Sequence, residues 1–425
     1  MTDRQPSVLI VAAKWWSTSA RMAMALRRNG CRVGAVCPAR HPLKFVSGID
    51  HIQRYGGIRS LSNLRRCIEE WHADVIVPCD DGVVAQLHEI HRREPTLRAL
   101  IERSIGPPES YSIVRSRYQL LKTAENLGLR VPRTVRVESE QDLVSWHRDA
   151  RSVSVLKVDG ESGGNGVRFA RSLDESLSAW HELSARQTAP QSWKRLVVDR
   201  DPLATWTRSN PGDREVTIQE FVVGRPANSM LVCRDGAVLS QACVLVVESD
   251  GPTGAATIIR HSSDKRMEHA GESLATKLRL NGFCGLDFMI ESATGIPYLI
   301  EMNPRCTQLG HLEFANSGSL AAAFSAGLRG EPLRCPVRPI LPGMIALFPQ
   351  AFRRTSAQNP HLDASYHDIP WEEPSLVDEL TLDPWPSRTW AARLYHVFRP
   401  MTQRSPVEYE DSAETTLGTE IDCAV

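Results

Sequence analysis

Apolar runs of five or six residues, separated by polar stretches with helical spacing, set the pattern of the first hundred residues. Val8 to Ala13 reads as a buried strand. Thr18 or Ser19 can cap a following helix that runs to Asn29, with Gly30 at the position where a helix-terminating glycine belongs. Arg32 to Cys37 and Asp74 to Pro78 are further strands, and Asp80-Asp81-Gly82 opens a helix whose apolar face is Val83, Val84, Leu87 and Ile90. Strands alternating with helices predict a parallel sheet covered on both faces. Pro107-Pro108 closes this segment, and one helix is predicted from about Ser110 to Leu127, stopped by Gly128 and Pro132.

The middle of the chain is richer in strands: Val153–Val158, Val216–Val223, Met230–Cys233 and Val238–Val247, then a helix over Glu268–Leu280 and strands over Phe283–Ile290 and Tyr298–Met302. The pattern assigns no element between about Leu183 and Arg214. From Cys335 the chain is rich in Pro and Trp, and from about Ser405 it is polar and acidic and is expected to be disordered.

Composition narrows the function classes. Fifty basic residues balance fifty acidic ones, which gives no electrostatic case for nucleic acid or an anionic membrane as partner. None of the ten cysteines stands in a C-x-x-C pair; Cys67, Cys79, Cys233, Cys243 and Cys284 read as small buried hydrophobes in a reducing, cytoplasmic setting. No apolar run approaches the roughly 20 residues that span a bilayer. Val11 to Trp16 lacks G-x-G-x-x-G, which argues against a dinucleotide oxidoreductase.

Three segments carry candidate chemistry. In the first, Thr294-Gly295 joins two strands as a hairpin, and a turn centred on Thr294 sets Asp287 opposite Glu301. Alternation places Glu301 and Asn303 on one face and Ile300 and Met302 on the other. Directly opposed like charges destabilise a sheet unless something neutralises them, and two carboxylates with an amide suit Mg2+ or Mn2+. Arg305, after Pro304, can reach anionic oxygens there. Taken alone, the same pair also fits a solvated polar face. In the second segment Lys157 interrupts an apolar strand, and a loop with Gly163, Gly164 and Gly166 follows. Backbone N–H groups of such a loop can approach phosphates closely; a snorkelling lysine beside a hairpin loop is the alternative. In the third, Val222 offers strand-end backbone to a base, with Gln219 or Glu220 nearby; an ordinary strand ending in a turn is the alternative.

In this order the three segments resemble the ATP-grasp superfamily, in particular the ATP-grasp halves of carbamoyl-phosphate synthase and biotin carboxylase and the stand-alone carboxylate–amine ligases. The likeness runs from about residue 7 to 335, and Glu301-Met302-Asn303-Pro304-Arg305 is its most specific element. It implies an α/β fold: a Rossmann-like pre-ATP-grasp domain over 1–108, an ATP-grasp α+β domain over 109–335, a small C-terminal unit over 336–404 and a tail over 405–425. It implies ATP with Mg2+ or Mn2+ held by Asp287, Glu301 and Asn303, Arg305 on the transferred phosphoryl group, and Lys157, Arg117 and the glycines on the nucleotide. Many members carry an acid for the ribose where this chain offers Pro226, Ala227 and Asn228, so Asn228 is the ribose candidate. The implied activity phosphorylates a small carboxylate and joins it to an amine or other nucleophile; a nucleotide-binding module without chemistry is the second reading. A homodimer is compatible with the sequence. Gln308 and His311 are candidates to line an acceptor pocket, His311 as a proton acceptor, and Asp80 and Asp81 either touch substrate or cap their helix.

Overall fold

The computed structural model describes residues 5–149, 153–160, 166–185, 188–209, 214–251, 253–314, 318–332, 343–353 and 359–398. Its first sheet is wholly parallel, in the order β3-β2-β1-β4, with β1 at Ser7–Val11, β2 at Arg32–Cys37, β3 at His51–Arg54 and β4 at Val75–Pro78. Alternation divides β1 cleanly: Val8 and Ile10 enter one core, Leu9 and Val11 another. Both faces are therefore dry, as a parallel sheet requires. The edge strand His51–Arg54 is half-exposed and polar, so the hydrophobic pattern did not mark it. The first helix starts at Ser17 and has no side-chain cap, contrary to the cap expected from Thr18 or Ser19.

A second sheet, of four antiparallel strands, has the order β5-β8-β6-β7: β5 Thr134–Val137, β6 Ser154–Val158, β7 Val167–Ala170 and β8 Val216–Glu220. Helices Glu140–Asp149 and Leu173–Ser184 cover it through Leu143, Trp146, Ala179 and Leu183.

The largest sheet has seven strands. Five are β9 (Gly224–Arg234), β10 (Ala237–Ser249), β11 (Ala256–Ser262), β12 (Gly282–Glu291) and β13 (Pro297–Asn303), in the order β13-β12-β9-β10-β11. Strands Met344–Leu347 and Tyr366–Asp368, from the segment expected as a C-terminal unit, extend the β11 edge. One face packs on helix Lys265–Leu278 and on Leu120, Leu121 and Ala124. The other shares a core with the first sheet, where Met230 and Val232 join Val8 and Ile10. Each of these fully buried side chains contributes about 1.5–3 kcal/mol relative to exposure. The shared core sets the C-terminal ends of the parallel strands over the large sheet. The α/β class expected from the sequence is the class found.

Two expectations are corrected. The single helix over 110–127 is two helices, Tyr111–Arg115 and Arg117–Asn126, because Ser116 is extended at φ −103° and ψ 115° and caps the second. The unassigned stretch holds two helices, Ala189–Val197 and Ala204–Ser209; Leu203 between them is buried in the core of the first sheet.

Candidate active site

The site begins with the hairpin of β12 and β13. Leu286, Phe288, Leu299 and Met302 bury in one core, which turns their alternates to the opposite face. Asp287 pairs with Glu301 and Gly285 with Asn303, the pairs expected from the sequence. Beyond Asp287 the register shifts by one, since Phe288 pairs with Leu299 and leaves Ile300 as the extra residue of a bulge. The bulge breaks the expected alternation. Ile300 does not oppose Glu301 but lines the same cavity, and Leu299 takes its place in the core.

Asp287 is held from two sides. Asn228 on β9, its cross-strand partner, donates through Nδ2 to Oδ1 at 2.6 Å, and Asn303 donates through Nδ2 to Oδ2 at 3.0 Å. Burial and the neighbouring Glu301 push the Asp287 carboxyl up to about 6. Asn228, the ribose candidate, thus bonds to the acid pair while lining the same cavity as the Val222 strand end. That neighbour depends on β9 lying beside β12, which the local pattern did not reveal.

Arg117 joins this cluster to the second sheet. The break at Ser116 makes it the first residue of its helix. Its Nη2 donates to Glu301 Oε1 at 2.8 Å and its Nη1 to Asp159 Oδ1 at 2.9 Å. Asp159 is pushed up to about 6 by burial, against the pull of Arg117. Lys157, two residues before Asp159 and on the cavity wall, is buried, and desolvation and Arg117 lower its pKa to about 8 while Glu301 and Asp287 oppose them. Gly166 lines the cavity; Gly163 and Gly164 lie outside the described residues.

At the strand end, Gln219, Glu220 and Val222 all line the cavity. Gln219 is buried and donates to Thr134 Oγ1 at 3.1 Å, whereas Glu220 is exposed. Two aromatic residues not singled out from the sequence, Phe169 and Phe221, meet edge to face at 5.9 Å on this wall. Their places at the ends of two strands of one sheet were the available signal.

The opposite end is built from the first sheet. Arg305 donates through Nε to Asp81 Oδ1 at 2.8 Å and through Nη2 to Asn303 Oδ1 at 2.9 Å. Asp80 does not cap its helix through its side chain; Oδ2 accepts from the backbone of Ala13 at 2.5 Å and Lys14 at 3.3 Å. Gln308, Thr307, Trp16 and Thr18 complete this end. His311 does not line it. Its Nε2 meets Asp368 Oδ2 at 2.7 Å, in a buried group with Arg21.

These residues enclose about 500 Å³, within the usual range for a small-molecule site. A larger groove of about 890 Å³ lies at the other end of the parallel strands. Two of its arginines, Arg234 and Arg329, serve the helix-end carbonyls of Gly327 and Asn29, which gives them a structural role. The first cavity is therefore the candidate. Among the described residues no three His, Cys, Asp or Glu side chains cluster as a metal site. The donor set here is two carboxylates and an amide, all oxygen, with one carboxylate already strained by the other. That chemistry fits a hard divalent cation.

A family model described as an ATP-grasp domain matches residues 201–308, the segment that carries Asn228, Asp287, Glu301, Asn303 and Arg305. The chain carries an ATP-grasp domain. Among solved structures, the biotin carboxylase of Campylobacter jejuni superposes with a TM-score of 0.55 at 14% identity, covering 78% of this chain and 72% of that one. N5-carboxyaminoimidazole ribonucleotide synthetase of Thermus thermophilus gives 0.54 at 16% identity, over 77% and 79%. The L-amino acid ligase of Bacillus licheniformis gives 0.52 at 13%, over 77% and 75%. At these identities the likeness establishes the ATP-grasp fold beyond the matched segment. No curated protein matches the sequence. Among the described residues no helix is long and apolar enough to cross a membrane.

Proposed function

We propose that the protein is an ATP-dependent ligase that phosphorylates a small-molecule carboxylate and joins the acyl group to an amine. The observation that carries this reading is the pairing of Asp287 with Glu301, with Asn303 beside them, in a cavity that also holds a buried lysine. The names of the similar structures, a synthetase, a carboxylase and a ligase, support the same class. One of them, the biotin carboxylase, was solved as a beta-gamma-ATP complex.

Asp287, Glu301 and Asn303 would hold Mg2+ or Mn2+. The cation supplies neutralisation of triphosphate charge when bound. Lys157 and Gly166 would face the phosphates, and Phe169 and Phe221 the base, with the Val222 backbone at its edge. Arg305 would neutralise the carboxylate and the phosphoryl group it receives. The carboxylate oxygen attacks the γ-phosphorus and ADP leaves. The amine nitrogen then attacks the acyl carbon, inorganic phosphate departs, and the amine proton passes to phosphate or solvent. No side-chain nucleophile is needed, so the protein's task is to align partners and stabilise charge. The buried cysteines fit this account, since burial raises the pKa of Cys79 and Cys306 beside the cavity and keeps them as thiols.

The test is ADP release under Mg2+ with a panel of carboxylates and amines, for the native chain and for Glu301→Gln. Turnover in the native chain and its loss in a folded Glu301→Gln variant are expected. Undiminished turnover in that variant would remove the proposal. ATP binding without release across the whole panel would favour a nucleotide-binding module instead.

A further inference from the structure

Asp81 is placed unlike the other carboxylates of the cavity. It is the first residue of helix Asp81–Arg93, where the helix dipole favours an anion. Burial works against its charge, but Arg305 and Lys14 outweigh burial and hold the carboxyl below the usual range. Arg305 links it in turn to Asn303 and so to Asp287. These bonds run through Nε and Nη2 of the guanidinium. The acceptor end thus presents a cation and an anion side by side, 2.8 Å apart, to one cavity. A substrate carboxylate drawn to Arg305 arrives next to Asp81. A plain acid meets repulsion there. A molecule with an ammonium one carbon from its carboxylate satisfies both charges.

We propose that Asp81 and Arg305 together recognise an α-amino acid as the carboxylate substrate, its carboxylate on Arg305 and its ammonium on Asp81. This rests on the ligase reading above. It also orders the site: the hydrogen bond from Arg305 to Asn303 sets the bound carboxylate beside the Asp287 and Glu301 end, where the triphosphate would lie. Trp16 and Thr18, at the start of the first helix, wall the same end.

The experiment uses the full chain with Mg-ATP and hydroxylamine as a common nucleophile, which traps acyl phosphates as hydroxamates. Each of the proteinogenic amino acids is compared with its N-acetyl derivative, in the native chain and in Asp81→Asn. At least one amino acid is expected to give hydroxamate, with its N-acetyl form at least tenfold poorer. In Asp81→Asn, KM for that amino acid is expected to rise roughly ten- to a hundredfold, the range for losing a hydrogen bond to a charged group. The preference over the N-acetyl form should shrink in step. If Asp81 only positions Arg305, both substrates lose turnover equally and their ratio stays fixed, which overturns the assignment. Hydroxamate from N-acetyl acids at native rates overturns it too and leaves the ligase reading standing. No hydroxamate from any of these acids overturns the amino-acid assignment, and ADP release with other carboxylates then decides the ligase reading separately.

Discussion

Arg117 Nη2 donates to Glu301 Oε1 at 2.8 Å across 184 residues of chain, while Nη1 of the same guanidinium donates to Asp159 Oδ1 at 2.9 Å. One planar fork thereby ties the helix that starts at Arg117 to two different sheets. A lysine at this position keeps the charge but has a single point of contact and can serve only one acid well. Arg117→Lys is expected to lower stability by about 1–3 kcal/mol, the range for a hydrogen bond to a buried charge, and to reduce ADP release. Urea denaturation and the turnover assay check both. Native values on both counts would show the fork to be dispensable.

The pKa of Lys157, about 8, gives a pH dependence with a definite sign. The folded value lies below the ordinary lysine value of 10.5, so the unfolded chain holds more protons between about 8 and 10.5, and this residue's cost to stability is relieved as pH rises through that window. Nucleotide binding runs the other way, because phosphate needs the ammonium. Affinity for ATP is expected to fall as pH climbs above about 8, approaching tenfold per pH unit. Lys157→Arg, which stays charged, should flatten the curve. Calorimetric titration between pH 6.5 and 9.5 reads this directly, and a flat native profile would contradict it.

Asp287 adds a second limb at acid pH. Its carboxyl is raised from 3.8 to about 6 by burial and by Glu301. The folded state therefore keeps a proton that the unfolded state has lost between about 4 and 6, and stability from this group declines as pH rises through that window. A cation must displace that proton. Mn2+ binding, followed by its paramagnetic effect on water relaxation, is expected to weaken below pH 6. Glu301→Gln removes the repulsion, so the Asp287 midpoint, followed by NMR titration of the metal-free protein, should move down. A midpoint that does not move would mean that burial alone sets it.

The parts of the site visible in the sequence were those governed by local pattern. Thr294-Gly295 marks the hairpin and the Asp287–Glu301 pair could be read from the sequence, although the turn itself pairs Phe288 with Leu299 and only the bulge at Ile300 brings the two acids opposite each other. The bulge at Ile300 could not, because an apolar residue there satisfies either face. The helix break at Ser116 was hidden for a similar reason: Val114, Leu121 and Ala124 keep their spacing across it. Asn228 and His311 depended on non-local neighbours. Asn228 meets Asp287 only through the β9–β12 pairing, and His311 meets Asp368 only because a strand 57 residues later joins the sheet edge.

Ser116 is a cap with two duties. Its hydroxyl accepts from Gln119 N at 3.1 Å and donates to Glu215 Oε1 at 2.8 Å. Ser116→Ala is expected to cost about 1 kcal/mol from the lost cap. It also frees the start of the helix that holds Arg117, so a rise in KM for ATP should accompany the change in stability. Ser116→Asp restores a capping acceptor but sets a second carboxylate against Glu215, and should recover only part of the loss. Equal stability of the alanine variant and the native chain would show that the break needs no cap.

The buried group of Arg21, His311 and Asp368 separates stability from catalysis. Burial lowers the His311 pKa, against Asp368, and burial works against the Asp368 charge while His311 and Arg21 outweigh it. Asp368 bonds to both partners and joins three parts of the chain: the first helix, the loop after Arg305 and the sheet edge. Asp368→Ala leaves the Arg21 guanidinium buried without its partner, and breaking such a pair from one side costs about 3–5 kcal/mol. Thermal unfolding should fall accordingly. His311→Gln can still donate to Asp368 and lies off the cavity, so its turnover at low temperature is expected to match the native chain. A folded His311→Gln protein that had lost turnover would return His311 to the reaction as a proton carrier and would overturn the structural role assigned to it.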